Sequence, residues 1–318
     1  MNPFASFVSR PGEKRLGDLL ESQEAGQGQY VFVGVPEDIG VRANQGRPGA
    51  SLSPKAIFQA LAQFPVNALH APQIGWDWIE VEDLQSTSEG MTDLDALRAL
   101  VAEVDKRVVA TLQPLFAAGK TPILVGGGHN NAYPLLVAGS QALGKLNALN
   151  LDPHPDCRAM EGRHSGNGFH YALDAGALNR YVVLGMSEWG CNQASLAMMN
   201  QTPGWTYIPY EAWAIRGEMN FDIARTLALQ HVNQGPFGLE VCADGIAHCP
   251  SSAQSHFGWS WEDVAETAYL AGQSGHCAYF HLAEVAIGLC PEGQKPALAR
   301  AAAYAGMQFI QGCMHPNI

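Results

Sequence analysis

The chain has 318 residues, 47% of them hydrophobic, and carries 18 Lys+Arg against 30 Asp+Glu for a net charge of -12. That apolar share supplies a full core and excludes a disordered chain. The acidic balance excludes a general binder of nucleic acid or of an anionic membrane, because each needs a cationic face, but leaves room for a small anionic substrate in a local arginine-lined pocket.

In chain order, residues 30–36 (YVFVGVP) read as a buried strand. Residues 53–64 (SPKAIFQALAQF) open on Ser-Pro and continue with helical spacing. Over 92–118, Leu94, Leu97, Leu100, Val101, Val104, Val108, Leu112 and Leu115 recur at intervals of three and four, which predicts a long amphipathic helix. TPILVGGGH (121–129) reads as a strand and a glycine turn, and LNALNLDPHPD (146–156) as a strand ending in polar residues. Further strands are predicted at 180–187, 235–244 and 277–286, with helices at 220–233 and 261–273 among the connections. This alternation predicts an α/β fold, a mostly parallel sheet with helices on both faces. No linker splits the chain, so one domain over 1–318 is expected.

Such sheets place chemistry at the carboxyl ends of their strands. The polar clusters lie at predicted strand ends: Gly126–His129, Asp152–Asp156, Glu240–Asp244 and Glu284. Asp152, His154 and Asp156 stand at i, i+2 and i+4, and share one face if the strand geometry persists to its end. A carboxylate–imidazole–carboxylate set suits a divalent metal such as Mn, Fe, Co or Zn. The glycines before His129 permit positive φ and close backbone approach, which helps turn a histidine into the same site.

Seven cysteines without a CxxC spacing predict reduced thiols rather than a disulfide framework. The start, MNPFASFVSRPGEKRLGDLL, lacks the apolar core of a secretory signal, and no apolar run approaches the roughly 18 residues that span a bilayer. A soluble, cytoplasmic protein is expected. The tryptophans, among them Trp76, Trp78, Trp259 and Trp261, read as packing or interface residues.

GGGHNNAYP followed by NLDPHPDCR resembles the first two signature motifs of the ureohydrolases, the family of arginases, agmatinases and formimidoylglutamases. Asp152-Pro153-His154-Pro155-Asp156 keeps the three ligand positions of the second motif and changes its spacers. GVPEDIGVRANQGRPGASLSPKAI (34–57) and GRHSGNGF (162–169) are similar to segments of the formimidoylglutamase branch. The resemblance implies an arginase-like three-layer α/β/α sandwich with a binuclear Mn2+ site. It places His129 and Asp156 on one ion, His154 on the other, and Asp152 between them, with Asp156 orienting the attacking hydroxide and taking its proton.

The third family motif supplies two aspartates at i and i+2, but the aligned stretch here is Gly238-Leu239-Glu240-Val241-Cys242. Glutamate is one methylene longer, and a cysteine thiolate suits Zn2+ or Fe2+ better than Mn2+. Asp244 shares their face but sits ~7 Å further along an extended strand. Three outcomes stay open: two ions on an altered ligand set that includes Glu240 and Cys242, one ion, or none.

On the substrate side, the resemblance makes Glu284 the carboxylate for an amidinium or guanidinium head, accepting two parallel N–H bonds. Arg42, Asn44 and Arg47, in a glycine-rich loop, are expected either to clamp substrate carboxylates or to staple the loop to backbone carbonyls. The resemblance places Arg163, His164, Ser165 and Asn167 over the substrate, with His164 or His170 shuttling a proton to the leaving group. The implied activity is metal-dependent hydrolysis of a linear amidine, with formimidoylglutamate giving glutamate and formamide as the lead. The contrasting outcome is a metal-poor, catalytically silent protein of the same fold. The implied partner is a small amidine or guanidine, and assembly as a homo-oligomer is compatible with the family.

Overall fold

A computed structural model describes residues 11–20, 28–67 and 76–316. The first ten residues, on which the reading of the N-terminus partly rests, and the side chain of Trp76 lie outside the described set. Eight strands form one sheet: β1 (Tyr30–Gly34), β2 (Trp76–Glu80), β3 (Thr121–Val125), β4 (Leu146–Leu151), β5 (Leu178–Met186), β6 (Trp205–Pro209), β7 (Phe237–Cys242) and β8 (Cys277–Ala283). Their order is β2-β1-β3-β8-β7-β4-β5-β6, and every neighbouring pair is parallel.

Successive strand residues feed opposite faces, as the pleat requires. Phe32, Ile123, Leu149, Leu239 and Phe280 pack against the helices Ser53–Ala62, Phe221–Val232, Trp261–Gln273 and Lys295–Met314. Val31, Val33, Leu124, Val183 and Tyr279 pack on the other side, against Leu94–Ala117 and Ala132–Leu143. The result is a three-layer α/β/α sandwich, and β4, with all six residues buried, reads as a continuous apolar run for that reason.

The predicted strands and long helices match the observed ones to within a few residues. The two strands absent from the sequence reading, β2 and β6, are the sheet edges. Their sequences, WDWIE and WTYIP, carry no long apolar run because an edge strand is only partly covered, and four of the five β6 residues are half-buried. Trp259 is 2% exposed in the core, and Trp78 packs on Phe58 with ring centroids 4.0 Å apart. All seven cysteines are free thiols. Among the described residues no helix is long and apolar enough to cross a membrane.

Candidate metal centre

The four polar clusters lie at the carboxyl ends of β3, β8, β7 and β4, which are consecutive neighbours at the middle of the sheet. After β3 the chain turns through Gly126 (φ 86°) and Gly127 (φ 73°), and a Cβ on Gly126 would lie 2.4 Å from Pro54 Cγ. Only glycine fits that left-handed turn against a proline ring. Buried Glu37, which sequence reasoning passed over, fastens the turn. Its Oε1 accepts from Asn131 Nδ2 (3.0 Å) and Asn130 Nδ2 (3.2 Å), and its Oε2 from the Ile39 amide at 2.7 Å. Its one sequence signal is an acid placed directly after an apolar strand.

β4 stops at Leu151, so Asp152, His154 and Asp156 are not aligned by strand pleating as the spacing suggested. A loop does the work instead. The His154 amide donates to Asp152 Oδ1 at 2.8 Å, and Asp156 is held at φ 40°, in the left-handed region. Strain of that kind, costing about 1–3 kcal/mol, collects at functional sites. The result brings Asp152 Oδ2 and Asp156 Oδ2 each to 2.9 Å from His129 Nδ1. Both ring nitrogens of His129, which is 1% exposed, nevertheless lack a well-directed hydrogen bond. His154 Nδ1 lies 3.5 Å from Asp152 Oδ1 and 3.7 Å from Asp244 Oδ2. Asp244, expected further along the strand, is folded back to the site by the tight turn Ala243–Gly245.

The third-motif pair sits inside β7. Register pairs Gly238 with Tyr279 and Glu240 with His281 across β7 and β8. Tyr279 Oη donates to Glu240 Oε1 at 2.6 Å, and His281 Nδ1 donates to Oε2. His129 Nε2 faces the same Oε2 at 3.4 Å. A Cβ on Gly238 would lie 1.9 Å from Tyr279 Cζ, so glycine there makes the room in which the tyrosine ring reaches Glu240. Tyr279 and His281 were legible only as alternate residues of one strand, which nothing in the motif reading singled out. Two sets of three donor atoms lie within 4.8 Å of one another: His129, Asp152 and Cys242, and His129, Glu240 and His281.

Burial and crowding set the charges. Burial favours a neutral Asp152, but His129 and His154 outweigh it and hold the carboxyl low. Burial and the Asp152 charge push Asp156 up to about 6. His154 is driven to about 9, since Asp152 and Asp244 overcome the burial that would lower it. Burial also acts against the Glu240 charge, yet His281 and His129 bring its carboxyl down to about 2. The Cys242 thiol is pushed up by burial and by Asp152.

A cavity of about 180 Å³ opens over this cluster, with His154, Asp156, Arg158, Ser165, Asp244 and Glu284 in its wall. Glu284 is also left-handed (φ 64°); its Oε1 accepts from the His129 amide at 3.0 Å, and its Oε2 is buried without a partner. Burial and Asp244 push its carboxyl up to about 8. Exposed Arg158, also missed in the sequence reading, has no acidic partner within 4.0 Å among the described residues, although it stands two positions past Asp156.

The other expected substrate residues divide. Asn44 lines the cavity and its Nδ2 donates to Ser165 Oγ at 3.3 Å. Arg42 is stapled to Ser88 Oγ (2.7 Å), Ser88 O (2.9 Å) and Met91 O (2.6 Å). Arg47 donates to Ser252 O (3.1 Å), Ser251 O (2.8 Å) and Gln254. Both therefore take the stapling role rather than the carboxylate clamp, though Arg42 acts from the short helix Ile39–Ala43 and not from a loop, and only Arg47 from the loop that follows it. Arg163 does not cover the cavity: it is buried, with Nε 2.8 Å from Asp105 Oδ2, and donates to Asn167 Oδ1 (2.7 Å) and Asn130 O (2.8 Å). Asn167 spends its amide on Ala159 O and Gly162 O, as part of that same strut. His164 is fully buried, with Nδ1 accepting from the Gly166 amide at 3.1 Å and Nε2 3.4 Å from Glu161. Burial brings its pKa down to about 4 and its ring is not part of the cavity wall. His170 bonds Arg158 O at 2.8 Å and lines a separate groove.

Comparison with known proteins adds to this geometry. The arginase family model matches residues 28–309. A formimidoylglutamase from Nocardia farcinica is 40% identical over 164 residues, covering 50% of this chain and 48% of that protein. One from Geobacillus thermodenitrificans is 33% identical over 256 residues, covering 77% of this chain and 73% of that protein. The chain spans about half the length of the first of these relatives in the match. The fold is similar to the crystal structure of formimidoylglutamase from Bacillus subtilis (TM-score 0.80, 20% identity, 99% of this chain and 96% of that one). It is also similar to a Trypanosoma cruzi formiminoglutamase solved with Mn2+ (TM-score 0.79, 19% identity, 96% of this chain and 100% of that one).

Proposed function

The chain belongs to the arginase family, and we propose that it hydrolyses formimidoylglutamate, with water, to glutamate and formamide in a reaction that depends on a divalent cation. The observation that carries this reading is the joining of two half-sites in one cavity. A buried imidazole is faced by two carboxylates at 2.9 Å, and beside it stands Glu284 with an unpaired buried oxygen.

The donors fit one cation. The ring nitrogens of His129 find no well-directed hydrogen bond, while five carboxylates (Asp152, Asp156, Glu240, Asp244 and Glu284) gather around the site. They do not fit the second hard Mn2+ that the resemblance implies. Glu240 has both oxygens committed to Tyr279 and His281, and Cys242 offers sulfur where a carboxylate would be needed. A bound divalent ion supplies Lewis acidity, bringing the pKa of water towards neutrality. His129, Asp152 and Asp156 are the residues nearest to hold it.

The chain's own groups supply the rest. Glu284 Oε2 accepts the amidinium N–H bonds and fixes the planar head over the cluster. Arg158 pairs with a carboxylate of the glutamate part, which accounts for a lone guanidinium on the rim of an acidic cavity. Asp156 holds the attacking water and takes its proton. His154, on the cavity wall, donates a proton to the departing amine as the C–N bond breaks.

The test is release of glutamate and formamide, followed by proton NMR, from N-formimidoyl-L-glutamate incubated with metal-loaded protein. Arginine and agmatine serve as the competing substrates. Turnover of formimidoylglutamate above both is the expected result. A protein that binds metal yet turns over none of the three refutes the reading and leaves a silent member of the family.

A further inference from the structure

We propose that this centre holds a single cation of borderline softness, ligated by the Cys242 thiolate together with His129 and Asp152, while Glu240 stands behind His129 as the carboxylate that orients it. The inference rests on the metal-dependent reading only in that a cation binds. Three observations carry it.

The first is the donor set. A nitrogen of His129, an oxygen of Asp152 and the sulfur of Cys242 lie within 4.8 Å of one another. All three side chains are at most 1% exposed. Mixed nitrogen, oxygen and sulfur donors favour Zn2+, Fe2+ or Co2+ over Mn2+, since thiolate is a soft ligand. On binding, Cys242 gives its thiol proton to solvent and its sulfur lone pair to the ion. Asp156, 2.9 Å from His129 Nδ1, completes the neighbourhood.

The second is the posture of Glu240. A carboxylate that bridges two ions must turn its oxygens to them. Here Oε1 accepts a hydrogen bond from the Tyr279 hydroxyl at 2.6 Å and Oε2 accepts one from the His281 N–H. The same Oε2 faces His129 Nε2 at 3.4 Å. With Nδ1 turned to Asp152 and Asp156, Nε2 is left to carry the proton towards Glu240, across a 3.4 Å gap that is not a well-directed hydrogen bond before the cation binds. A carboxylate behind a metal-bound histidine fixes its tautomer and raises its basicity. Glu240 is thus a positioning residue, anchored by two donors of its own.

The third is the buried histidine pair. His129 and His281 both have ring nitrogens without a hydrogen bond, with ring centroids 5.6 Å apart. On the β7–β8 side of His129 these imidazole nitrogens are free donors, but Glu240, the one carboxylate among them, already has both oxygens bonded, which leaves that side a poor match for a second hard ion.

The experiment is a Co2+ titration of the metal-stripped, reduced full chain, with Mn2+ in parallel. Expected are one equivalent of Co2+ and a thiolate-to-cobalt charge-transfer band in the near ultraviolet. Cys242→Ser is expected to lose the band. Glu240→Gln is expected to keep both the band and the single equivalent while weakening the Kd by roughly 10- to 100-fold. Two equivalents, no bound cobalt, a single equivalent without the band, or a band that survives in Cys242→Ser overturns the proposal, whatever the fate of the Glu240 variant. An unchanged Kd in a folded Glu240→Gln protein overturns the positioning role. The formimidoylglutamate assay on the same samples separates the two readings. Turnover with two ions bound refutes the single-ion centre alone, and one thiolate-bound ion without turnover refutes the proposed function alone.

Discussion

Replacing Arg163 by alanine separates a strut from a substrate ligand. The guanidinium is 5% exposed and lies 2.8 Å from Asp105 Oδ2. It also sits over the rings of Tyr133 and Tyr171, at 4.7 and 4.8 Å from their centroids. Removing one partner of a buried ion pair strands the other charge and costs about 3–5 kcal/mol. For domains of about 150–250 residues each kcal/mol lowers Tm by about 2–4 °C, so a fall of roughly 6–20 °C is expected, towards the lower end in this longer chain. The pH dependence gives a second signature. Burial already pushes Asp105 up, and Arg163 is the main force opposing it. Without the arginine, the folded carboxyl rises further above its unfolded value and binds a proton where the unfolded chain does not. Stability then falls as pH rises through that interval. The Arg163→Ala deficit is therefore larger at pH 8 than at pH 5, as urea unfolding at the two pH values would read it. A loss under about 1 kcal/mol, independent of pH and joined to a sharp rise in KM, would refute the strut and restore Arg163 to the substrate.

Arg158→Met should leave Tm within a degree or so, the usual result at an exposed position. Losing a charge-assisted bond of about 1.5–3 kcal/mol should raise KM for formimidoylglutamate by roughly 10- to 100-fold. An unmoved KM in steady-state kinetics removes Arg158 from the binding site. Glu284→Gln keeps the shape and removes the carboxyl that an incoming amidinium cation would hold ionised against its raised pKa. A loss of at least ~2 kcal/mol, about 30-fold in kcat/KM, is expected with metal content unchanged by elemental analysis; a variant that loses metal instead marks Glu284 as part of the cation's support. Glu240→Asp combined with Cys242→Asp supplies two short hard carboxylates and should raise bound Mn2+ from at most one towards two per chain. Unchanged Mn2+ content would mean that these two positions do not govern the second ion.

Much of the fold was legible because the inner strands are covered on both faces and therefore carry apolar runs. The edges β2 and β6 were not, because half-exposure lets aromatic and polar residues mix there. At the site, the positions that could be read were those whose chemistry stands in local sequence: His129 after three glycines, the Asp152–Asp156 triad and Glu284. Their geometry could not be read, since it depends on a left-handed backbone at Asp156 and Glu284 that spacing does not encode. Arg163 and His164 misled for a related reason. They neighbour the cavity-lining Ser165 in sequence, but the turn Ser165–Asn167 folds them inward to Asp105 and Glu161.

The departures from the third motif make sense as one unit rather than as separate losses. A glutamate at 240 reaches one methylene further than an aspartate, far enough to meet Tyr279 and His281 on the facing strand. A buried carboxylate without a cation costs several kcal/mol unless donors satisfy it, and those two side chains supply the donors. Tyr279 can do so only because residue 238 has no Cβ to strike its ring. The same register that pairs Gly238 with Tyr279 pairs Glu240 with His281. Residues on two adjacent strands thus satisfy by hydrogen bonding the Glu240 carboxylate that a second metal would otherwise have met. A centre that had merely decayed would leave Glu240 with unpaired oxygens, and both of its oxygens are bonded.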